Sequence, residues 1–152
     1  MYKTIIPCNL YGRFDKFCPE QSHLVPSIIR KIHEAIKSEV SEVEIWGDGE
    51  ARREFMYAGD LADCILNCVE RFESVPSLMN VGIGRDYTVN EYYKVTAEVM
   101  GYGGHFRHNL SKPVGMKKKL VAVDILHNWG WKSQTPLAKG IELAYQYYQG
   151  II

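Results

Sequence analysis

The feature that most constrains the fold of this chain is its imbalance of helix over strand. From Ser22 to about Glu39, the apolar residues Ile28, Ile29, Ile32, Ala35 and Ile36 recur at i, i+1, i+4, i+7 and i+8. That spacing puts them on one helical face, and Pro26 is tolerated in the first turn. Thr88-Val89-Asn90-Glu91 reads as a capping box opening a helix to Met100, with Gly101 as its stop. Asp60 is placed to cap a helix whose apolar positions are Leu61, Ile65, Cys68, Val69 and Phe72. Asp124 to Trp129 reads as a short helix stopped at Gly130. Thr135-Pro136 reads as an N-cap followed by proline at the first helical position, starting a terminal helix that turns Leu137, Ile141, Ala144 and Tyr148 inward. Strand signals are fewer and shorter: Lys3–Pro7, a β-branched run expected to be buried, then Val43–Trp46, Arg53–Tyr57, Leu78–Val81 and Gly104–His108. Asn9 to Gly12 reads as a turn and Ser111 to Lys119 as a basic loop. The class is α/β. A doubly wound sheet would need more strand than this, so the chain reads as part of something larger, without repeats or an internal domain boundary.

The 152 residues are one domain's worth, long enough to bury a core, and 46% apolar against 24% charged residues excludes wholesale disorder. Eighteen basic residues balance eighteen acidic ones, which argues against a nucleic-acid binder with a broad positive face and leaves a local anion site open. Cys8, Cys18, Cys64 and Cys68 form no C-x-x-C pair and match no zinc module, so no metal is expected. Cys64 and Cys68, one helical turn apart, read as buried thiols, and free thiols point to a reducing compartment. No apolar run is long enough for a membrane span or a secretory signal, so cytoplasm is the expected location.

Four segments carry a resemblance. They are Pro7-Cys8-Asn9-Leu10-Tyr11-Gly12, Ser22-His23-Leu24-Val25-Pro26 with its helix, Trp46-Gly47-Asp48-Gly49-Glu50-Ala51-Arg52-Arg53-Glu54-Phe55, and Asn80-Val81-Gly82-Ile83-Gly84. With Lys112-Pro113-x-Gly115 and Gly130-Trp131 they cover essentially the whole chain. In this order they resemble the GDP-L-fucose synthase branch of the extended short-chain dehydrogenase/reductase family. N-L-Y-G alone is a weak signal; S-H-x-x-P followed by W-G-x-G-x-x-R-R-E-F is far more specific.

Two of that family's elements do not occur here. Gly82-Ile83-Gly84 has Tyr87 where a dinucleotide fingerprint needs its third glycine, and no tyrosine has lysine four residues on. The resemblance therefore implies the C-terminal portion of an extended SDR. Residues 1–152 would be a single substrate-binding domain and 1–12 the last Rossmann-type strand and turn, with no N-terminal dinucleotide-binding domain. It implies a parent enzyme that epimerises a GDP-linked 4-keto-6-deoxy-hexose and then reduces it with NADPH. This chain alone would be inactive. The expected partners are a GDP-sugar, the chain's own missing Rossmann half and a second copy in a homodimer, but neither nucleic acid nor membrane.

The resemblance also distributes roles. His23 falls on the active-site histidine, the acid that works with a cysteine base in epimerisation, and an imidazole suits proton donation near neutrality. Asn9 falls on a sugar contact, and Pro7 and Leu10 on positions bordering the nicotinamide. Trp46 and Arg53 fall on the pair that holds the nucleotide sugar, where an indole packs on a ring and a guanidinium fork suits a diphosphate. Lys31 is a further cationic candidate, and Lys119 falls on the lysine that reaches the diphosphate. Each has a plainer alternative: a structural histidine, an Asn closing its own turn, a core Trp, a solvated lysine run. Arg52 is the weaker of the two arginines, and Glu54 is expected to pair with a neighbour. Val114, Met116, Lys117 and Ala122 depart from the family's usual Asp, Thr-Pro and Asp. Rival readings are a related sugar-nucleotide epimerase/dehydratase taking another NDP-sugar, such as a colitose or deoxyheptose synthase, or a non-catalytic binding or assembly module.

Overall fold

The computed structural model describes residues 2–152. Its strands are β1 (Thr4–Pro7), β2 (Asn9–Tyr11), β3 (Glu42–Trp46), β4 (Arg52–Arg53), β5 (Phe55–Tyr57), β6 (Leu78–Val81), β7 (Tyr87–Thr88), β8 (His105–Asn109) and β9 (Lys118–Lys119). Its helices are α1 (Leu24–Lys37), α2 (Ala58–Glu70), α3 (Val89–Met100), α4 (Asp124–Trp129) and α5 (Leu137–Gln149). Three parallel ladders, β1-β6, β2-β5 and β3-β8, stand beside a small sheet of order β7-β4-β9. Ladders of two to five residues cannot supply a core, so the helices do.

One core lies where α1, α3 and α5 pack together. Ile28, Ile29 and Ile32 of α1 meet Tyr92 of α3 and Ile141 of α5. Each fully buried aliphatic side chain there contributes roughly 1.5–3 kcal/mol. β3 joins by alternation, with Val43 and Ile45 buried and Trp46 facing outward. A second core under α2 and α4 gathers Cys8, Met56, Cys64, Met79, Val81, Leu126 and Trp131. The α3 capping box forms as expected: Thr88 accepts from the Glu91 N–H, and Gly101 closes the helix at φ 70°.

Several expectations are corrected. Asn9 to Tyr11 is a strand, because Phe55–Tyr57 offers it a parallel partner. The run from Arg53 to Tyr57 is two strands interrupted at Glu54, where the chain passes from the small sheet to the β2 ladder. Asp60 lies inside the first turn of α2 and accepts hydrogen bonds from Ser133, Gln134 and Thr135 instead of capping the helix. Thr135 is drawn to Asp60, and Pro136 becomes the N-cap of α5. β1 has one ladder partner among the described residues, and its Ile6 is exposed, not buried. Most of the α2 apolar stripe also faces outward: Ile65, Val69 and Phe72 are exposed, as is Leu66, while Cys64 takes the core position.

Candidate functional site

One face of α1 feeds the core and another feeds a cavity. His23, Leu24, Ser27, Arg30 and Lys31, spaced i, i+1, i+4, i+7 and i+8, form one wall of a cavity of about 590 Å³. Trp46 at the end of β3, Arg53 on β4, Lys119 on β9, Asn9 on β2 and Tyr93 on α3 complete it, with Val114 and Met116 from the intervening loop. Six expected site residues, Asn9, His23, Lys31, Trp46, Arg53 and Lys119, thus meet at one cavity. Arg30, Lys31, Arg53 and Lys119 line it, and no carboxylate does among the described residues. In a chain of zero net charge this is a concentrated positive site.

Strand alternation decides which of the adjacent basic residues face it. β4 and β9 run parallel with Arg52 opposite Lys118 and Arg53 opposite Lys119. Side chains in register share a face. Arg53 and Lys119 therefore turn to the cavity, while Arg52 and Lys118 converge on Asp86, at 2.8 and 3.3 Å. The Arg52 hydrogen bond holds the Asp86 carboxyl below the usual carboxylate range.

Each cationic group has a fixed seat. Lys31 Nζ donates to the Glu44 carbonyl at 3.1 Å and lies 3.4 Å from the Tyr93 hydroxyl. Burial lowers its pKa below that of a free lysine. It also sits 5.3 Å from the centroid of the Trp46 ring, which Lys112 approaches at 5.1 Å. Trp46 is 57% exposed, so its indole is available for stacking and is not a core residue. Arg53 Nη1 donates to the Met116 and Arg52 carbonyls at 2.6 and 2.8 Å, tying the basic loop to β4. Lys119 Nζ donates to Asn9 Oδ1 at 3.2 Å, and Asn9 Nδ2 donates to the Glu54 carbonyl at 2.9 Å. Asn9 is therefore pinned across the site and does not close a turn of its own.

His23 occupies the N-cap position of α1 without a side-chain capping bond, and its ring is exposed. It lines this cavity and a second one of about 400 Å³, which also holds Cys8, Leu10, Arg13 and Phe14; the two share Asn9, His23 and Phe55. Pro7 lines neither of the two and pairs with Val81 on the exposed β1. Cys8 is buried, its thiol pushed up to about 12 by burial and by the nearby Glu54 carboxylate, so it is no thiolate near neutrality. Glu54, expected to pair with a neighbour, is buried and bonded to backbone amides instead.

Sequence reasoning missed Arg30, Ser27 and Tyr93. The first two were accessible, since they stand seven and four residues beyond His23 on the same helical face. Tyr93 carried no local signal.

The model of the NAD dependent epimerase/dehydratase family matches residues 1–82, more than half of the chain. The chain belongs to that family. Within it, similar relatives are the GDP-L-colitose synthase of Yersinia pseudotuberculosis, 54% identical over 97% of this chain and 48% of its own length, and the GDP-L-fucose synthase of Azorhizobium caulinodans, 50% identical over 97% and 47%. Among solved structures, a GDP-mannoheptose C4 reductase from Campylobacter jejuni with NADP bound superposes with a TM-score of 0.80 at 25% identity, over 97% of this chain and 52% of that one. The chain spans about half the length of the curated relatives it matches. The α/β fold of extended SDR enzymes is therefore established for this member of the epimerase/dehydratase family, with most of its expected site residues around one cationic cavity.

Proposed function

We propose that this chain is the nucleotide-sugar-binding portion of an enzyme that epimerises a GDP-linked 4-keto-6-deoxy-hexose and then reduces it with NADPH. The observation that carries the reading is the cavity itself: Lys31, Arg53 and Lys119 beside an Arg30 already paired with Glu34, an exposed indole and no lining carboxylate, with His23 at its edge. Arg53 and Lys119 would take the diphosphate, whose charge suits a guanidinium beside an ammonium. Trp46, flanked by Lys31 and Lys112, would pack on the nucleoside. Asn9, where the two cavities meet, would orient the sugar, and His23 would return a proton to the enediolate carbon during epimerisation.

NADPH supplies the hydride when bound. Leu10, on the second cavity, fits an edge contact to its nicotinamide, and Pro7 stands three residues before it. Gly82-Ile83-Gly84 does not fit the pyrophosphate, because its Ile83 and Gly84 amides are occupied by Glu54. The cofactor's main seat would come from a Rossmann half, which would also cover Ile6, Ile65, Leu66, Val69 and Leu78, all exposed here.

Calorimetric titration with GDP tests the reading. Binding is expected, and Trp46→Ala and Arg53→Ala each weaken it about tenfold or more, the loss of one good contact. A folded chain that ignores GDP refutes the proposal. The near-equal identity to a colitose and a fucose synthase favours a second reading of the sugar alone. Offering the full-length protein alternative GDP-4-keto sugars separates the two. Absence of a Gly-rich fingerprint and Tyr-x-x-x-Lys from the native reading frame would instead favour a non-catalytic module.

A further inference from the structure

The Gly82-Ile83-Gly84 turn is filled from within the chain. Glu54 Oε1 accepts from the Ile83 and Gly84 amides at 2.7 and 2.8 Å, and Oε2 accepts from the Val121 amide at 2.9 Å. The side chain is 1% exposed. Three backbone donors, in place of a lysine or arginine, stabilise the buried carboxylate, as successive amides do for a bound anion. A Cβ on Gly82 would stand 2.5 Å from Oε1 and 2.7 Å from Val121 Cγ2, so the carboxylate and Val121 together leave no room for a side chain there. Gly84 adopts φ 69°, in the left-handed region that favours glycine, just after its own amide has bonded to the same oxygen.

The backbone of the same residue touches two residues of the cavity. Its carbonyl accepts from Asn9 Nδ2 at 2.9 Å, and its N–H donates to the Lys119 carbonyl at 3.2 Å. Asn9 Oδ1 in turn accepts from Lys119 Nζ at 3.2 Å. Glu54 sits at the interruption between β4 and β5, where it has no β4 or β5 ladder pair to hold it. Its peptide groups are held there by the Asn9 and Lys119 bonds together with the fastened side chain.

We infer that Glu54 is a positioning residue of the cationic cavity: the 82–84 turn and Val121 grip its carboxylate, and that grip sets where its peptide groups hold Asn9 and Lys119. Its effect on nucleotide binding rests on the function proposed above; its effect on Asn9 and Lys119 does not. Glu54→Gln is nearly isosteric but turns one acceptor oxygen into an NH₂ facing an amide donor. Glu54→Asp keeps the charge and shortens its reach, and carries the same tests if the Gln variant fails to fold.

Two measurements decide. In ligand-free NMR spectra, the Asn9 side-chain amide and the Lys119 backbone amide are expected to shift along with Ile83, Gly84 and Val121. In GDP titrations, Glu54→Gln is expected to weaken binding about tenfold, the scale of one charge-assisted hydrogen bond. In a Lys119→Ala background the same change should cost less than about twofold, because coupled residues are non-additive. A merely structural role would give equal losses in both backgrounds. Equal losses, or signals that move at Ile83, Gly84 and Val121 while Asn9 and Lys119 stay fixed, overturn the inference. A wild-type chain that binds no GDP refutes the nucleotide-sugar reading instead and leaves the ligand-free spectra to judge Glu54.

Discussion

Replacing Asp60 by asparagine should loosen the join between α2 and α5 by an amount the hydrogen bonds set. The carboxylate accepts from Ser133 Oγ, from the Gln134 and Thr135 amides at 3.1 and 3.0 Å, and from Thr135 Oγ1 at 2.5 Å. Burial pushes its pKa up, but these four bonds outweigh burial and hold it below the usual carboxylate value. Oδ2 takes three of the four bonds, so asparagine can keep its oxygen there, but it removes the charge from those three and sets an NH₂ against Thr135 Oγ1. At roughly 1.5–3 kcal/mol for each bond to a charged group, with hydroxyls partly recovered by water, the variant should lose about 2–3 kcal/mol. Urea unfolding at pH 7, compared at equal m-values, measures this. The pH dependence has a definite sign. A depressed folded-state pKa means that the contribution is full above the unfolded value of about 3.9 and fades as pH falls through the folded one. The gap between wild type and variant should therefore close in acid. A loss below about 0.5 kcal/mol, typical of an uninvolved surface site, or a gap unchanged from pH 7 into that acid range, would refute the reasoning.

Three further outcomes are expected. Because burial lowers the Lys31 pKa, GDP affinity should fall at a lower alkaline pH than a free lysine would give. Lys31→Arg, whose charge persists, should flatten that limb in titrations across pH. Gly140→Ala would place a Cβ 2.1 Å from the Tyr11 hydroxyl, inside the α5–β2 contact, and should cost about 1–3 kcal/mol in thermal or urea unfolding, the usual penalty of overpacking. Leu66→Lys with Val69→Lys, on the exposed α2 face, should reduce concentration-dependent association of this chain in sedimentation without lowering its stability, whereas loss of stability would mean that the face is already covered.

Much of the helical architecture was legible because its signals are local. The stripe from Ile28 to Ala35, the Thr88–Glu91 box, the Gly101 and Gly130 stops and the inward face of α5 each depend on residues within two or three turns of one another. The cavity was legible as a set of residues through resemblance, and the periodicity of α1 held the signal for Ser27 and Arg30, which went unread.

What only the tertiary structure decided lies at longer range. Asn9–Tyr11 became a strand because Phe55–Tyr57 stands beside it, and no pattern within three residues can announce a partner so far along the chain. The resemblance preferred Arg53 to Arg52, but that Lys119 and not Lys118 joins it at the cavity depends on the register of β9 against β4. Asp60 binds the approach to α5 instead of capping its own helix, since four donors there outbid the capping bonds it would make. The α2 stripe has helical period yet stays exposed: periodicity states which residues share a face, not what covers it. The sequence by itself determined which segments are helical, where α3 starts and stops, and which sides of α1 and α5 turn inward, because those choices are made within a few residues. The tertiary structure determined which charges meet in the cavity and which carboxylates hold its walls, because those energies exist only between segments that folding brings together.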